Sequence, residues 1–406
     1  MEVTWPYEFP GAYWLDEEEE AAVLDVLRRG SLFRYYGLHP PRYVDALEQA
    51  AQAFYGTRFA LAVNSGTGAL TCALAALGIG PGCEVIVPAF MWVATVGAVV
   101  QAGAIPVLCE IDESFTMDPA DVERHITPRT RLLLPVHMAG APCHMEALME
   151  VANRHGLLVL EDCAQCNGGT FRGRKVGTFG QMGIFSLQLN KNMTCGEGGL
   201  VITDDERLYQ RAFSAHDMGM VRREGRLALP DPEALLWGQG RRMTELAGAV
   251  ASVQLRKLPR ILEHLRASKR RIKALLGEPA GFTYRHLHDP EGDTGPFLIL
   301  ILPEEAAAIA AVQRMKEAGL HNAFRIAEYG LHIYSNIPAL VGKVGVSPAG
   351  EPWTLEANAG SHYSYHRGTC PRSDDLFARS ILIPIPSCLT PQQEEWAAQV
   401  IRSAVG

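Results

Sequence analysis

Between residues 59 and 162 the chain repeats one unit: a short apolar run, a turn, a longer run of helical length, and another short apolar run. Residues 59–64, 84–88, 105–110, 131–137 and 157–162 have strand length. Residues 67–77 and 142–154 have helical length, and glycines at 78 and 156 stop them. Strands that are apolar throughout need both faces covered, and strands that alternate with helices pair mostly in parallel. The pattern predicts an α/β large domain with a mostly parallel sheet. Ligands of such sheets bind beyond the carboxyl ends of the strands.

The flanks extend this plan. Residues 16–29 read as a helix capped by Asp16, with glutamates in its first turn, Arg28 and Arg29 in its last, and Gly30 after it. A helical stretch over 244–276, interrupted at Pro259, carries Arg256, Lys257, Arg260, Arg266, Lys269, Arg270, Arg271 and Lys273. Leu255, Leu258, Leu262 and Leu265 form an apolar stripe on it, so the basic residues are expected on a solvated face. This helix is expected to join a large domain (1–265) to a smaller α+β domain (266–406). In the smaller domain 297–302 and 380–384 read as strands and 304–317 as a helix. Thr390-Pro391-Gln392-Gln393 has the form of a capping box, and 339–359, rich in Gly and Pro, reads as a loop.

Composition narrows the function. With 48% hydrophobic and 20% charged residues in 406, the chain is neither disordered nor fibrous. A net charge of -8 argues against a dominant nucleic-acid surface. The most apolar stretch, 93–108, contains Gln101, two glycines and Pro106 and falls short of a membrane span. The first residues have no basic and apolar leader, and the nine cysteines read as free thiols, so a cytoplasmic location is expected.

Three segments carry chemistry. The first is Ser186-Leu-Gln-Leu-Asn-Lys191, followed by Gly196-Glu197-Gly198-Gly199. A lysine on a glycine-flanked loop after an apolar strand can hold a carbonyl cofactor as a Schiff base, and Ser186 can donate to a phosphate on it. The second is Glu161-Asp162-Cys163-Ala164-Gln165 at a strand end, where a carboxylate can pair with a protonated ring nitrogen or simply cap a helix. The third is Asn64-Ser65-Gly66-Thr67-Gly68, a turn into a helix suited to phosphate; it lacks the spacing of a Walker or dinucleotide fingerprint. Trp92 can stack on a flat ring or sit in the core. Cys163-x-x-Cys166 has no second pair, and no metal is expected. His137 is a weaker candidate, for lining the acceptor pocket or as a hydrogen-bonded structural histidine, and His332-Ile-Tyr334 and Tyr363-Ser-Tyr365-His366 are candidates for closing over the substrate.

A phosphate cradle, a ring stacker, a ring-nitrogen carboxylate and a lysine, in that order, resemble the DegT/DnrJ/EryC1/StrS aminotransferases. The match lies in residues 63–70, 84–88 with 92–95, 135–137, His155-Gly156, Glu161-Asp162 with Gln165, Ser186, and Lys191 with Gly196-Glu197-Gly198-Gly199. It runs from about residue 15 to at least 265, and more loosely to the C-terminus. The resemblance implies an aspartate aminotransferase-like fold, type I of the pyridoxal 5'-phosphate (PLP) enzymes. It also implies PLP as cofactor, and a homodimer with active sites at the subunit interface. By position, Lys191 would bind the cofactor covalently, Asp162 would pair with its ring nitrogen, and Trp92 would stack on the ring. Gln165 would contact the 3-hydroxyl side, and Gly66, Thr67 and Ser186 would hold the phosphate. The implied reaction moves an amino group from glutamate or glutamine to a keto-sugar, keto-cyclitol or keto-ulosonate in ping-pong fashion.

Two other readings stay open. Sugar dehydratases among these relatives carry His where this chain has Lys191, and a non-catalytic PLP-binding protein would not need an intact set. The chain also departs from the family's G-x-N-x-R-M segment, whose Asn reaches the partner's cofactor phosphate. Here it reads Gly238-Gln239-Gly240-Arg241-Arg242-Met243. The pairs Arg222-Arg223 and Arg241-Arg242 are candidate contacts for a nucleotide-sugar diphosphate.

Overall fold

The structure is a computed structural model and describes residues 4–40, 42–223 and 226–406, with the backbone alone at Arg223. Residues 1–3, with which the expected first domain opens, lie outside it.

Seven strands form the large sheet: β1 (Phe59–Val63), β2 (Glu84–Pro88), β3 (Ile105–Cys109), β4 (Thr130–Leu133), β5 (Leu158–Asp162), β6 (Met182–Ser186) and β7 (Gly199–Thr203). Their order is β1-β7-β6-β5-β4-β2-β3. β7 runs antiparallel to both neighbours, and every other pairing is parallel. Alternate residues of one strand enter different apolar clusters: Val85 and Val87 pack on one face and Ile86 on the other. The sheet is therefore buried on both sides, as runs without polar alternation require.

Helix α1 (Glu17–Arg29) is capped as its sequence suggests, with Asp16 and Glu19 in a reciprocal capping box and Gly30 at φ 63°. Helices α2 (Gly66–Leu77) and α3 (Val93–Gln101) follow β1 and β2. Helix α4 (Glu245–Leu276) runs unbroken through Pro259, contrary to the expected interruption. Burial of Leu255, Leu258, Ile261 and Leu262 around the ring holds the helix on both sides of it. The basic residues of α4 are also not a plain solvated face. Lys257 is buried and pairs with Asp16 and Glu19, Arg256 pairs with Glu18, and Arg271 pairs with Glu394. The acidic start of α1 is the counter-charge of Arg256 and Lys257.

A four-stranded antiparallel sheet follows, of β8 (Thr283–Tyr284), β9 (Phe297–Ile301), β10 (Phe324–Arg325) and β11 (Ser380–Pro384), in the order β8-β9-β11-β10. Helices α5 (Glu305–Glu317) and α6 (Pro391–Val405) pack on it through Ala308, Val312, Met315, Ala398 and Ile401. The expected boundary at 265 falls inside α4. One later segment returns to the large sheet: Met91 N–H donates to the His332 carbonyl (3.0 Å), and Phe90 bridges Ile333.

Candidate active site

The carboxyl ends of β1, β5 and β6 and the turn after β2 meet at one cavity of about 370 Å³. At the end of β1, Ser65 caps α2 by accepting from the Gly68 N–H (2.9 Å). A Cβ at Gly66 would lie 2.8 Å from the Ser186 Cβ, so glycine is what lets the helix start against the end of β6. The first turn of α2 thus opens into the cavity with its N–H groups and the positive end of its dipole, a setting that favours an anion.

Asp162 closes β5 and is buried. Its Oδ1 accepts from the Ala164 N–H (3.0 Å), and its Oδ2 accepts from the Thr95 hydroxyl (2.8 Å). Burial pushes its carboxyl up from the usual range, and these two hydrogen bonds oppose that shift. Lys191 lies in the turn after β6, where its carbonyl accepts from the Gly11 N–H (3.0 Å). Burial pushes its ammonium down to about 8, against the pull of Asp162 and Glu197.

Trp92 is the residue before α3 and remains 43% exposed, which excludes the reading of a core tryptophan. Its ring leans on His332, with centroids 4.6 Å apart. Gln165 accepts from the Ala139 N–H (3.1 Å) through Oε1 and meets His332 Nε2 (3.1 Å) through Nε2. Gly66, Thr67, Trp92, Asp162, Gln165, Ser186 and Lys191, the seven residues singled out from the sequence, all line this one cavity. Thr95 and His332 line it as well. Thr95 stood inside a matching run, but only the fold brings it to Asp162, 67 positions away. His332, named from the sequence as a residue that could close over the substrate, is in the lining, but its bond to Gln165, 167 positions away, is visible only in the fold.

Other candidates lie elsewhere. His137 is fully buried and is not among the residues lining the cavity. Its Nδ1 accepts from the Cys143 N–H (3.0 Å), so Nε2 carries the proton and donates to Glu161 (3.1 Å). Glu161 also accepts from the N–H groups of Gly177, Phe179 and Gly180. Ligand atoms of His137, Glu161 and Cys163 lie within 4.8 Å of one another, yet hydrogen bonds already occupy both the histidine and the carboxylate. The cluster is a polar knot under β5. Tyr365 donates to the Pro106 carbonyl away from the cavity. Arg222 and Arg242 are both paired with Asp217. Only the backbone of Arg223 is described.

The amine, the carboxylate, the half-exposed indole and the glycine-opened helix start form the donor set of a flat, phosphorylated ring bearing a carbonyl. PLP fits it: a Cβ at Gly66 would close the cradle, and Lys191 and Asp162 stand in the same cavity.

The chain is 42% identical over 234 residues to the GDP-perosamine synthase of Caulobacter vibrioides; the match takes in 56% of this chain and 60% of that protein's length. The 3-amino-5-hydroxybenzoic acid synthase structure superposes at a TM-score of 0.80 with 28% identity, over 100% of this chain and 98% of that one. The S. venezuelae enzyme DesV, solved with a ketimine intermediate, superposes at 0.78 with 30% identity, over 96% of this chain and 94% of that one. The fold is that of the type I PLP enzymes. The profile of the DegT/DnrJ/EryC1/StrS aminotransferase family matches residues 14–334, and the chain belongs to that family.

Proposed function

We propose that the chain is a PLP-dependent aminotransferase that moves an amino group from glutamate or glutamine onto a keto-sugar, keto-cyclitol or keto-ulosonate. The observation that carries this reading is the joint placement of Lys191 and Asp162 in the cavity that α2 opens with its N-terminus. PLP, when bound, supplies a conjugated ring that takes up the electrons left when a carbon–hydrogen bond breaks. Lys191 Nζ would hold the cofactor and, once freed, would take the proton from the donor's α-carbon and deliver it to the cofactor carbon that carries the new amine. An amine at about 8 both accepts and releases a proton near neutral pH. Asp162 supplies the negative charge that keeps the ring nitrogen protonated. Trp92 would cover the ring, Gln165 would meet the 3-hydroxyl side, and Gly66, Thr67 and Ser186 would hold the phosphate.

The dehydratase reading loses to the lysine at 191. The working form in this proposal is a homodimer of two-domain subunits, divided near 265. Its support is exposed apolar residues on one stretch of chain: Trp237 is 96% exposed, and Met218, Leu229 and Leu235 of the same stretch are exposed too. The cysteines of the described residues are all free, which favours a cytoplasmic setting. The test is incubation with PLP and glutamate. Formation of 2-oxoglutarate with conversion of the cofactor to its amine form supports the reading. A bound cofactor that never takes up an amino group from a donor would leave a binding protein instead.

A further inference from the structure

The orientation of the Gln165 side chain is set by two backbone groups whose roles are beyond choice. At one end the Ala139 N–H can only donate, so the atom it meets at 3.1 Å is the Gln165 carbonyl oxygen Oε1. The amide nitrogen Nε2 therefore faces His332 Nε2 at 3.1 Å. At the other end the Tyr329 carbonyl can only accept, so His332 Nδ1, 3.0 Å away, carries a proton. Burial drives the imidazolium of His332 down to about 3, so the ring is neutral and its Nε2 is a bare lone pair. That lone pair accepts one N–H of Gln165. The relay thus runs in one direction, from Ala139 through Gln165 and His332 to Tyr329.

We infer that His332 is a positioning residue that holds Gln165 with its N–H edge turned into the cavity. Gln165 then offers a donor, and not an acceptor, to the 3-oxygen of the bound cofactor, and stabilises that oxygen in its ionised form. This rests on the reading of the cavity as a PLP site. The imidazole is itself fixed in three ways. It stacks on Tyr329 with centroids 3.8 Å apart and planes 9° apart, it packs on Trp92, and the backbone that carries it is held where the His332 carbonyl accepts from the Met91 N–H. A neutral ring so held offers Gln165 the same acceptor at any working pH.

The test is the apparent pKa of the visible absorption band of the PLP-loaded protein. The titratable groups around the relay are Lys191 and Glu197 on the turn after β6, Asp162 on β5, and Tyr329 and Glu8 beside them. All of them survive substitution at 332. His332→Phe keeps an aromatic ring for Tyr329 and Trp92 but has no acceptor. A donor fixed on an ionised oxygen lowers its pKa, so His332→Phe should raise the band's apparent pKa by about one unit, the scale of one charge-assisted hydrogen bond. His332→Gln, whose amide oxygen can take the Gln165 N–H, should return it toward the parent value. An unmoved band in His332→Phe overturns the inference. So does an equal shift in the Phe and Gln variants, since packing alone would then explain it. A parent protein that forms no visible band with PLP would end the underlying reading; a normal parent band with an unmoved His332→Phe ends the inference alone.

Discussion

The hydroxyl of Thr95 donates to Asp162 Oδ2 at 2.8 Å, tying the first turns of α3 to the carboxylate that closes β5. Both residues are buried, so the bond is made in a low-dielectric setting where a lost donor is felt in full. Thr95→Val keeps the shape and removes the donor. The ionised form of Asp162 is then less favoured and its pKa rises. The acid limb of the kcat profile should therefore move to higher pH, by about one unit. An unmoved limb would show that Asp162 does not depend on Thr95.

Asp162→Asn separates charge from shape. The amide oxygen can take the Ala164 N–H, and the amide nitrogen can donate to Thr95, so the apo protein should melt at or above the parent temperature. Burial already disfavours the charge that the substitution removes. Turnover should fall by about a hundredfold or more, because an amide cannot offset a protonated ring nitrogen. Normal kcat in this variant would reduce Asp162 to a carboxylate that ties the turn after β5, where no helix starts.

Much of this site is legible in the sequence because its parts sit at strand ends and helix starts, where local rules act. Ser65 before Gly66, Asp162 at the end of an apolar run, and Lys191 among glycines all carry their signal within a few residues. What escaped depends on distance in the chain. The helix Tyr43–Tyr55 begins at Arg42 in the left-handed region, with no capping side chain to announce it. Thr95 and His332 gain their roles only when β2, β5 and the segment after β10 converge. Pro259 misled in the other direction, because packing on both sides of its ring outweighs the lost helix hydrogen bond.

By the resemblance, an asparagine is expected where this chain has Gly240. Its φ is +67°, a region asparagine tolerates, and a Cβ there would meet no atom within 4 Å. The N–H groups of Gln239, Gly240 and Arg241 are spent on the carbonyls of Ala215, Asp217 and His216. That leaves the side chains of Gln239 and Arg241 as replacement contacts, and the buried Nε of Arg241 has no partner among the described residues. In a dimer, Gly240→Asn should retain PLP through dialysis as well as the parent or better. Expulsion of the cofactor, or an active monomer on sizing, would place this segment elsewhere.

Cysteines 163 and 166 should be dispensable. Their thiols are buried, burial pushes both up so that neither is a thiolate at neutral pH, and Cys166 donates to the Gly140 carbonyl. Serine at both positions should leave most activity intact, and elemental analysis should find no stoichiometric zinc. One zinc per chain would reassign the knot around Glu161.

The most direct measurement concerns Lys191, the single lysine between Ser186 and Gly199. Its neutral amine is the form that adds to a carbonyl, so covalent uptake of PLP by the apo protein should quicken as pH rises toward about 8 and level off above. Lys191→Ala should fold, as judged by circular dichroism, and still bind PLP through the other cavity residues. It should show neither the visible absorption band nor 2-oxoglutarate formation from glutamate. A variant that keeps both the band and full transamination would contradict the assignment of Lys191 and the function built on it.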